Sequence, residues 1–191
     1  MKEEPVDILD EQGNMTGQTM LKSEAHQKGL WHRGAHLWIY NSKGEILIQL
    51  RAGGKTIRPN VWDVPVAGHI QAGHEPRETL VRESKEELGL DIDPAKTTFA
   101  GISQVEDPMQ SWTHRVFNYV YILKADLDIN SLKLEKEEVA AVKWIPLEKF
   151  EDEIHDPAKS KSYWDSRLKS YQEAINAIRD QLRLYDRETK K

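Results

Sequence analysis

The 191-residue chain contains no cysteine. That excludes disulfides, thiolate zinc sites and cysteine nucleophiles together, and it fits a reducing compartment. Long apolar runs are missing too: no segment approaches the ~20 apolar residues of a membrane span, so no membrane partner is expected. The opening Met1-Lys2-Glu3-Glu4-Pro5 is acidic and does not read as a secretory signal, which makes a cytoplasmic location the expectation. There is no basic excess. The formal net charge of -5 disfavours a nucleic acid polymer as partner. A nucleotide-sized substrate stays open, because a bound metal supplies positive charge locally. Repeats and low-complexity tracts are absent. The length fits one domain with a short appendage, enough to bury a core without a disulfide or a structural metal.

What is present is an alternation of strand and helix signals. Val6 to Leu9 reads as a short strand closed by a turn. Leu37–Tyr40 and Ile46–Leu50 flank Asn41-Ser42-Lys43-Gly44, a hairpin signature. Arg51-Ala52-Gly53-Gly54-Lys55 follows as a mobile, cationic loop. Trp62 to Ile70 reads as strand and turn, Glu75 to Leu88 as a helix with Pro76 in its first turn and Gly89 as its stop. Strands are expected at Thr98–Val105, Val116–Lys124 and Val139–Ile145, then a short helix at Leu147–Ile154.

From Ser162 to Arg187 the pattern changes. Trp164, Leu168, Tyr171, Ile175, Ile178, Leu182 and Tyr185 alternate at spacings of four and three, one apolar stripe on a helix of roughly six turns. The expected organisation is therefore a domain over 1–157 and an amphipathic helix over 158–191. The helix packs on the domain or, as the alternative, makes a homodimer contact.

The chemistry is concentrated in Gly68-His69-Ile70-Gln71-Ala72-Gly73-His74-Glu75-Pro76-Arg77-Glu78-Thr79-Leu80-Val81-Arg82-Glu83-Ser84-Lys85-Glu86-Glu87-Leu88-Gly89-Leu90. On a helix, Glu83, Glu86 and Glu87 stand at i, i+3 and i+4 and share one face, while Leu80, Ser84 and Leu88 turn toward the core. Like charges at that spacing repel, and a hard divalent cation such as Mg²⁺ or Mn²⁺ reverses the sign. Arg82 is placed to hold a carboxylate in one rotamer. Three glutamates alone describe a solvated acidic face, with Arg82 and Lys85 as its ion-pair partners, ahead of a metal site. The flanking glycines shift the balance, because Gly68 permits close backbone approach to a ligand and Gly73 opens the loop that feeds the helix.

This segment resembles the signature of the Nudix hydrolases, G-x5-E-x7-R-E-U-x-E-E-x-G-U, with U a large aliphatic residue. Gly68, Arg82, Glu83, Glu86, Glu87, Gly89 and Leu90 fall in register. Two positions depart: His74 stands where the first glutamate belongs, with Glu75 one place later, and Ser84 stands where an aliphatic belongs. The resemblance covers roughly Val6 to Ile154. It implies an α/β/α sandwich around a mixed sheet, with the signature as loop–helix–loop. It implies a hydrolase that cleaves the diphosphate linkage of a small phosphorylated substrate: a nucleoside diphosphate derivative, a nucleotide or a prenyl diphosphate. It implies Mg²⁺ or Mn²⁺ held by Glu83, Glu86 and Glu87, with the carbonyl near Gly68 as a further ligand. Glu83, Arg82 and Glu86 are the catalytic candidates: Arg82 orients the carboxylates, and Glu83 is the leading general base, ahead of Glu137 and Glu138.

A narrower resemblance points to the isopentenyl-diphosphate isomerase branch of the same superfamily. Its carriers are Asp7-Ile8-Leu9-Asp10, His26, His32-Arg33, Leu37 to Asn41, Trp62-Asp63 and Val66-Ala67-Gly68-His69. Those isomerases use a cysteine one residue before this Gly-His pair and a histidine- and glutamate-rich metal site. Here the position is Ala67, and Trp112-Thr113-His114-Arg115-Val116-Phe117 offers no acid. The isomerase chemistry is therefore not expected, nor is a second metal site at His26, His32 and His69; those histidines are read as structural or substrate-contacting. Arg51, Lys55, Arg58 and His69 are the candidate substrate contacts. Trp62, Trp112 and Phe117 are read as core aromatics ahead of stacking platforms.

Overall fold

A strand buried on both faces belongs in the middle of a layered fold, and residues 31–40 form such a strand, residues 31–36 burying His32, Arg33 and His36 and residues 37–40 being apolar. The computed structural model describes residues 3–55, 57–109 and 111–189. Among them are nine strands and four α-helices: β1 (Pro5–Leu9), β2 (Met15–Leu21), α1 (Lys22–Gln27), β3 (Trp31–Tyr40), β4 (Glu45–Arg51), β5 (Trp62–Asp63), β6 (Val66–His69), α2 (Pro76–Leu88), β7 (Thr98–Pro108), β8 (Thr113–Lys124), β9 (Val139–Pro146), α3 (Leu147–His155) and α4 (Leu168–Thr189). Every residue of β3 is buried. It runs parallel to β8 and antiparallel to β6, β1 and β4; β7 extends the sheet beyond β8, and β9 and β5 flank β4. The sheet is mixed, as expected.

Period-two alternation sorts the core into two layers. Ala35, Leu37 and Ile39 of β3 pack with Leu47, Val66 and Ile70 against Leu80 and Leu88 of α2. Trp38 and Tyr40 point the other way, toward Phe150 and Ile154 of α3 and Tyr171, Ile175 and Ile178 of α4. The result is the expected α/β/α sandwich.

Local chemistry sets the ends of α2. The Glu75 carboxylate accepts from the Glu78 backbone while the Glu78 carboxylate accepts from the Glu75 N–H at 2.8 Å, a reciprocal cap on the first turn. Pro76 follows where its missing N–H is harmless. Gly89 ends the helix at φ 64°, and Gly89 and Leu90 donate back to the carbonyls of Lys85 and Ser84.

The structure departs from the sequence-based expectations in three places. β2 and α1 were not expected: β2 is almost wholly exposed and so carries no apolar alternation to read. Arg51 does not begin a free loop. It ends β4, is buried, and its guanidinium donates to the Ile57 carbonyl at 2.9 Å and the Arg58 carbonyl at 3.1 Å. The long helix begins at Leu168 rather than Ser162, preceded by single 3₁₀ turns at 160–162 and 165–167. Trp164 is therefore not on the helical stripe. It lies buried in the connection, because Arg167 and Tyr171 donate to the fully buried Asp63 carboxylate at 2.6 and 2.8 Å and draw the segment inward. The first half of α4 shares the core of the sheet, whereas Leu184 and Tyr185 near its end are exposed.

Candidate active site

The three glutamates stand on α2 as the spacing predicts, in unequal surroundings. The Glu86 side chain is 59% exposed and that of Glu83 14%; Glu87 is buried and its Oε2 has no hydrogen-bond partner. Glu83 lies so close to β6 that a Cβ at position 68 would collide with its carboxylate, which is the physical reason for Gly68. Arg82 braces the group, 2.9 Å from Glu83 and 3.1 Å from Glu86, and reaches toward the His69 carbonyl at 3.4 Å.

Burial pushes the Glu83 carboxyl up to about 7 against the opposing pull of Arg82, with Glu86 and Glu4 adding repulsion. Burial also holds Glu87 well above the usual carboxylate range, and the charges of Glu83 and Glu138 add to it. A buried carboxylate oxygen without a partner, beside a second carboxylate, is the donor arrangement that a hard divalent cation satisfies. Glu83, Glu87 and the backbone at Gly68 therefore fit the implied Mg²⁺ or Mn²⁺, while Glu86 stands on the solvent side of the same helix face, paired with Arg82.

The candidate substrate contacts divide. Lys55 is ion-paired with Glu138, and the charges of Lys55 and Glu138 both bear on Glu87. Arg51 also feels Glu87. Its guanidinium sits 4.9 Å over the Trp164 ring and is tied to backbone carbonyls. Arg58 is held by Asp107 at 3.0 Å and Asp165 at 3.1 Å, a strap between β7 and the connection to α4. Glu138 is half-buried while Glu137 is exposed, which separates the two weaker base candidates. Trp62 carries the Lys143 ammonium at 3.9 Å from its ring centre, and Phe117 packs on Trp31.

The signature's two departures have distinct outcomes. His74 is exposed and pairs with Glu78 at 3.3 Å, so it does not replace the first glutamate. Glu4 comes within 3.9 Å of Arg82 and accepts from Gln71 at 2.6 Å, an acid that sequence reasoning missed because it enters from the far end of the chain. Ser84 is fully buried and its hydroxyl has no partner.

His69 is not at the glutamates. Val66 of β6 and Ile70 just beyond it pack toward α2, and Gly68 between them faces Glu83, so His69 turns to the opposite face. There it meets His26, His32 and His114, with ring centroids 5.2, 5.1 and 5.7 Å away. Burial depresses all four rings: His26 to about 3, His32 to about 4, His69 and His114 well below the ordinary value, so they are neutral at pH 7. Sequence reading overlooked His114 because it searched that strand for a carboxylate.

A family model described as the NUDIX domain matches residues 30–165. An uncharacterised Nudix hydrolase of Clostridium acetobutylicum is 36% identical over 153 residues, 78% of this chain and 73% of that protein. An isopentenyl-diphosphate Delta-isomerase of Escherichia coli is 34% identical over 149 residues, 77% of this chain and 79% of that one. Nudix hydrolase 3 of Arabidopsis thaliana is 33% identical over 83% of this chain, which spans only 21% of that longer protein. Among solved structures, DR0079 from Deinococcus radiodurans superposes with a TM-score of 0.65 at 21% identity, over 88% of this chain and 98% of that one. MutT protein from Methanosarcina mazei does so with a TM-score of 0.54 at 24% identity, over 84% and 96%.

Proposed function

Because this chain belongs to the Nudix family and is a Nudix-type hydrolase, we propose that it cleaves the diphosphate linkage of a small molecule by water attack on phosphorus, using Mg²⁺ or Mn²⁺. The substrate is a nucleoside diphosphate derivative, a nucleotide or a prenyl diphosphate. The observation that carries the reading is the buried, unpartnered Glu87 Oε2 beside Glu83, pressed against the glycine backbone of β6. When bound, the cation would polarise phosphoryl oxygens and lower the pKa of a water.

The chain's own groups do the rest. Arg82 fixes the rotamers of Glu83 and Glu86. Glu87, whose burial favours the protonated form, would give up its proton to hold the cation, and the buried charge would then interact strongly with it. Lys55 and Arg51 provide positive charge near the glutamates to offset charge developing on the phosphoryl group. Glu83 is the leading acceptor for the water's proton, and Glu138 the alternative. The similarity to isopentenyl-diphosphate isomerases does not favour their reaction here, because Ala67 stands where their cysteine belongs and the chain contains no cysteine.

The test incubates the purified protein with Mg²⁺ and a panel of nucleotide, sugar-nucleotide and prenyl diphosphates, following phosphate-containing products by mass. Glu87→Gln should lower turnover by about a hundredfold or more, since even groups that merely support metal ligands are worth ~10–100-fold. Near-normal activity in that variant would sink the metal assignment. A compound that raises the melting temperature without being turned over would point instead to a binding module.

A further inference from the structure

Arg82 meets three carboxylates. Two belong to its own helix, Glu83 at 2.9 Å and Glu86 at 3.1 Å. The third is Glu4, just before β1, 3.9 Å from the same Nη1 that faces Glu86. That separation is too long for a hydrogen bond but within reach of a charge pair. Backbone and side chain together keep Glu4 in this place. Its carbonyl accepts from the Lys22 N–H at 3.0 Å, and the adjoining Pro5 carbonyl accepts from the Ala72 N–H at 2.9 Å. Its carboxylate accepts from Gln71 of the signature loop at 2.6 Å. The side chains of Arg82 and Glu4 are only 28% and 29% exposed, so water and salt screen the pair incompletely. Burial works against the charge of Arg82, yet the charges of Glu83, Glu4 and Glu86, in that order, hold its guanidinium above the ordinary value.

Glu83 and Glu86 are both candidate cation ligands, so a carboxylate turned toward a cation is one fewer on Arg82. Glu4 comes from another element and stays with the guanidinium. The signature puts an acid at position 74, but His74 stands there and pairs with Glu78. Position 74 and Arg82 line one open hollow, together with Gln71, Glu78 and Thr79. An acid is thus missing from one side of Arg82 and supplied from another. We propose that Glu4 is a positioning residue of the glutamate site: it takes the place of the acid absent at position 74 and keeps Arg82, and through it Glu83, in the arrangement that receives the cation. The site is then built from α2 together with the segment that leads into β1, and the signature alone does not complete it. The consequence for turnover rests on the hydrolase reading; the hold on Arg82 does not.

The test compares the full-length wild type with Glu4→Gln, His74→Glu and the double variant Glu4→Gln/His74→Glu. In metal-free protein, nitrogen NMR of the Arg82 guanidinium should show faster rotation about its Cζ–N bonds in Glu4→Gln and a return toward the wild-type rate in the double variant. With Mn²⁺ added, Glu4→Gln should weaken ion binding and lower kcat by about tenfold each while KM moves by less than about twofold, and the double variant should recover most of both losses. His74→Glu alone should change little, because the place beside Arg82 is already filled. A role limited to tying β1 to the signature loop through Gln71 would not be restored from position 74. Unchanged guanidinium rotation in Glu4→Gln, or a double variant no better than Glu4→Gln, would overturn the proposal. If the wild type turns over no diphosphate, the hydrolase reading falls, and the metal-free NMR comparison still decides the role of Glu4.

Discussion

The glutamate face and the histidine cluster lie back to back on β6, Gly68 serving one and His69 the other. Their construction differs. Glu83, Glu86 and Glu87 sit within about one turn of a single helix, so their proximity needs only that helix and its caps. The histidines come from α1, β3, β6 and β8 and meet only when the sheet has formed with its parallel β3–β8 pairing in register. The first site joins carboxylates to one another and to Arg82, and burial gives them a pull toward a cation. The second gathers rings that burial keeps from charging. A helix-borne site should tolerate changes in distant packing; a site assembled from four elements should fail with the sheet.

That contrast can be broken from either side. The largest effect should come from Arg167→Ala, which strips the fully buried Asp63 of its ion pair. Removing one partner of a buried pair costs about 3–5 kcal/mol. Denaturant unfolding should show that loss, and a change below 1 kcal/mol would mean that the connection to α4 does not anchor the sheet.

Gly68→Ala attacks the other region with little change in packing elsewhere. The added methyl must displace the Glu83 carboxylate, so Mg²⁺-dependent turnover should fall by about tenfold or more, with an unchanged circular dichroism spectrum. Full activity in this variant would show that the close approach is incidental. A smaller effect of opposite sign is expected at Ser84. Its buried hydroxyl has no partner, so Ser84→Ala should raise stability by about 1 kcal/mol in urea unfolding. A loss of stability there would reveal a partner for the hydroxyl.

The smallest effect concerns acid. Burial works against ionisation of Asp107, but hydrogen bonds from Arg58, Trp164 and Ser166 outweigh it and hold the carboxyl below its ordinary value. A folded pKa below the unfolded one adds stability that is complete above the unfolded value of about 3.9 and is lost as pH falls through the folded value. Urea midpoints measured at pH 5 and pH 3 should therefore drop more for the wild type than for Asp107→Asn. Equal drops would remove Asp107 from the acid response.

Legibility in the sequence followed the range of the interactions. Gly89 and Glu75 mark the ends of α2, and the spacing of Glu83, Glu86 and Glu87 marks its functional face, because each signal acts within a few residues. β2 left no trace, since its side chains are exposed and alternate with nothing. The register of Trp164 with the stripe of α4 misled for a related reason. Periodicity reports which residues seek the core, and Trp164 does so, with its indole N–H 2.9 Å from Asp107, without being helical.

By itself the sequence determined the local half of this protein: the signature helix, its ends, and the spacing that puts Glu83, Glu86 and Glu87 on one face of it. The tertiary structure alone decided which carboxylate would be stripped of water, where Arg51 and Arg58 would be held, and that His114 would join three histidines across the sheet. Helical spacing is written within neighbouring residues. Burial, and encounters between residues far apart in the chain, exist only once the chain has closed on itself.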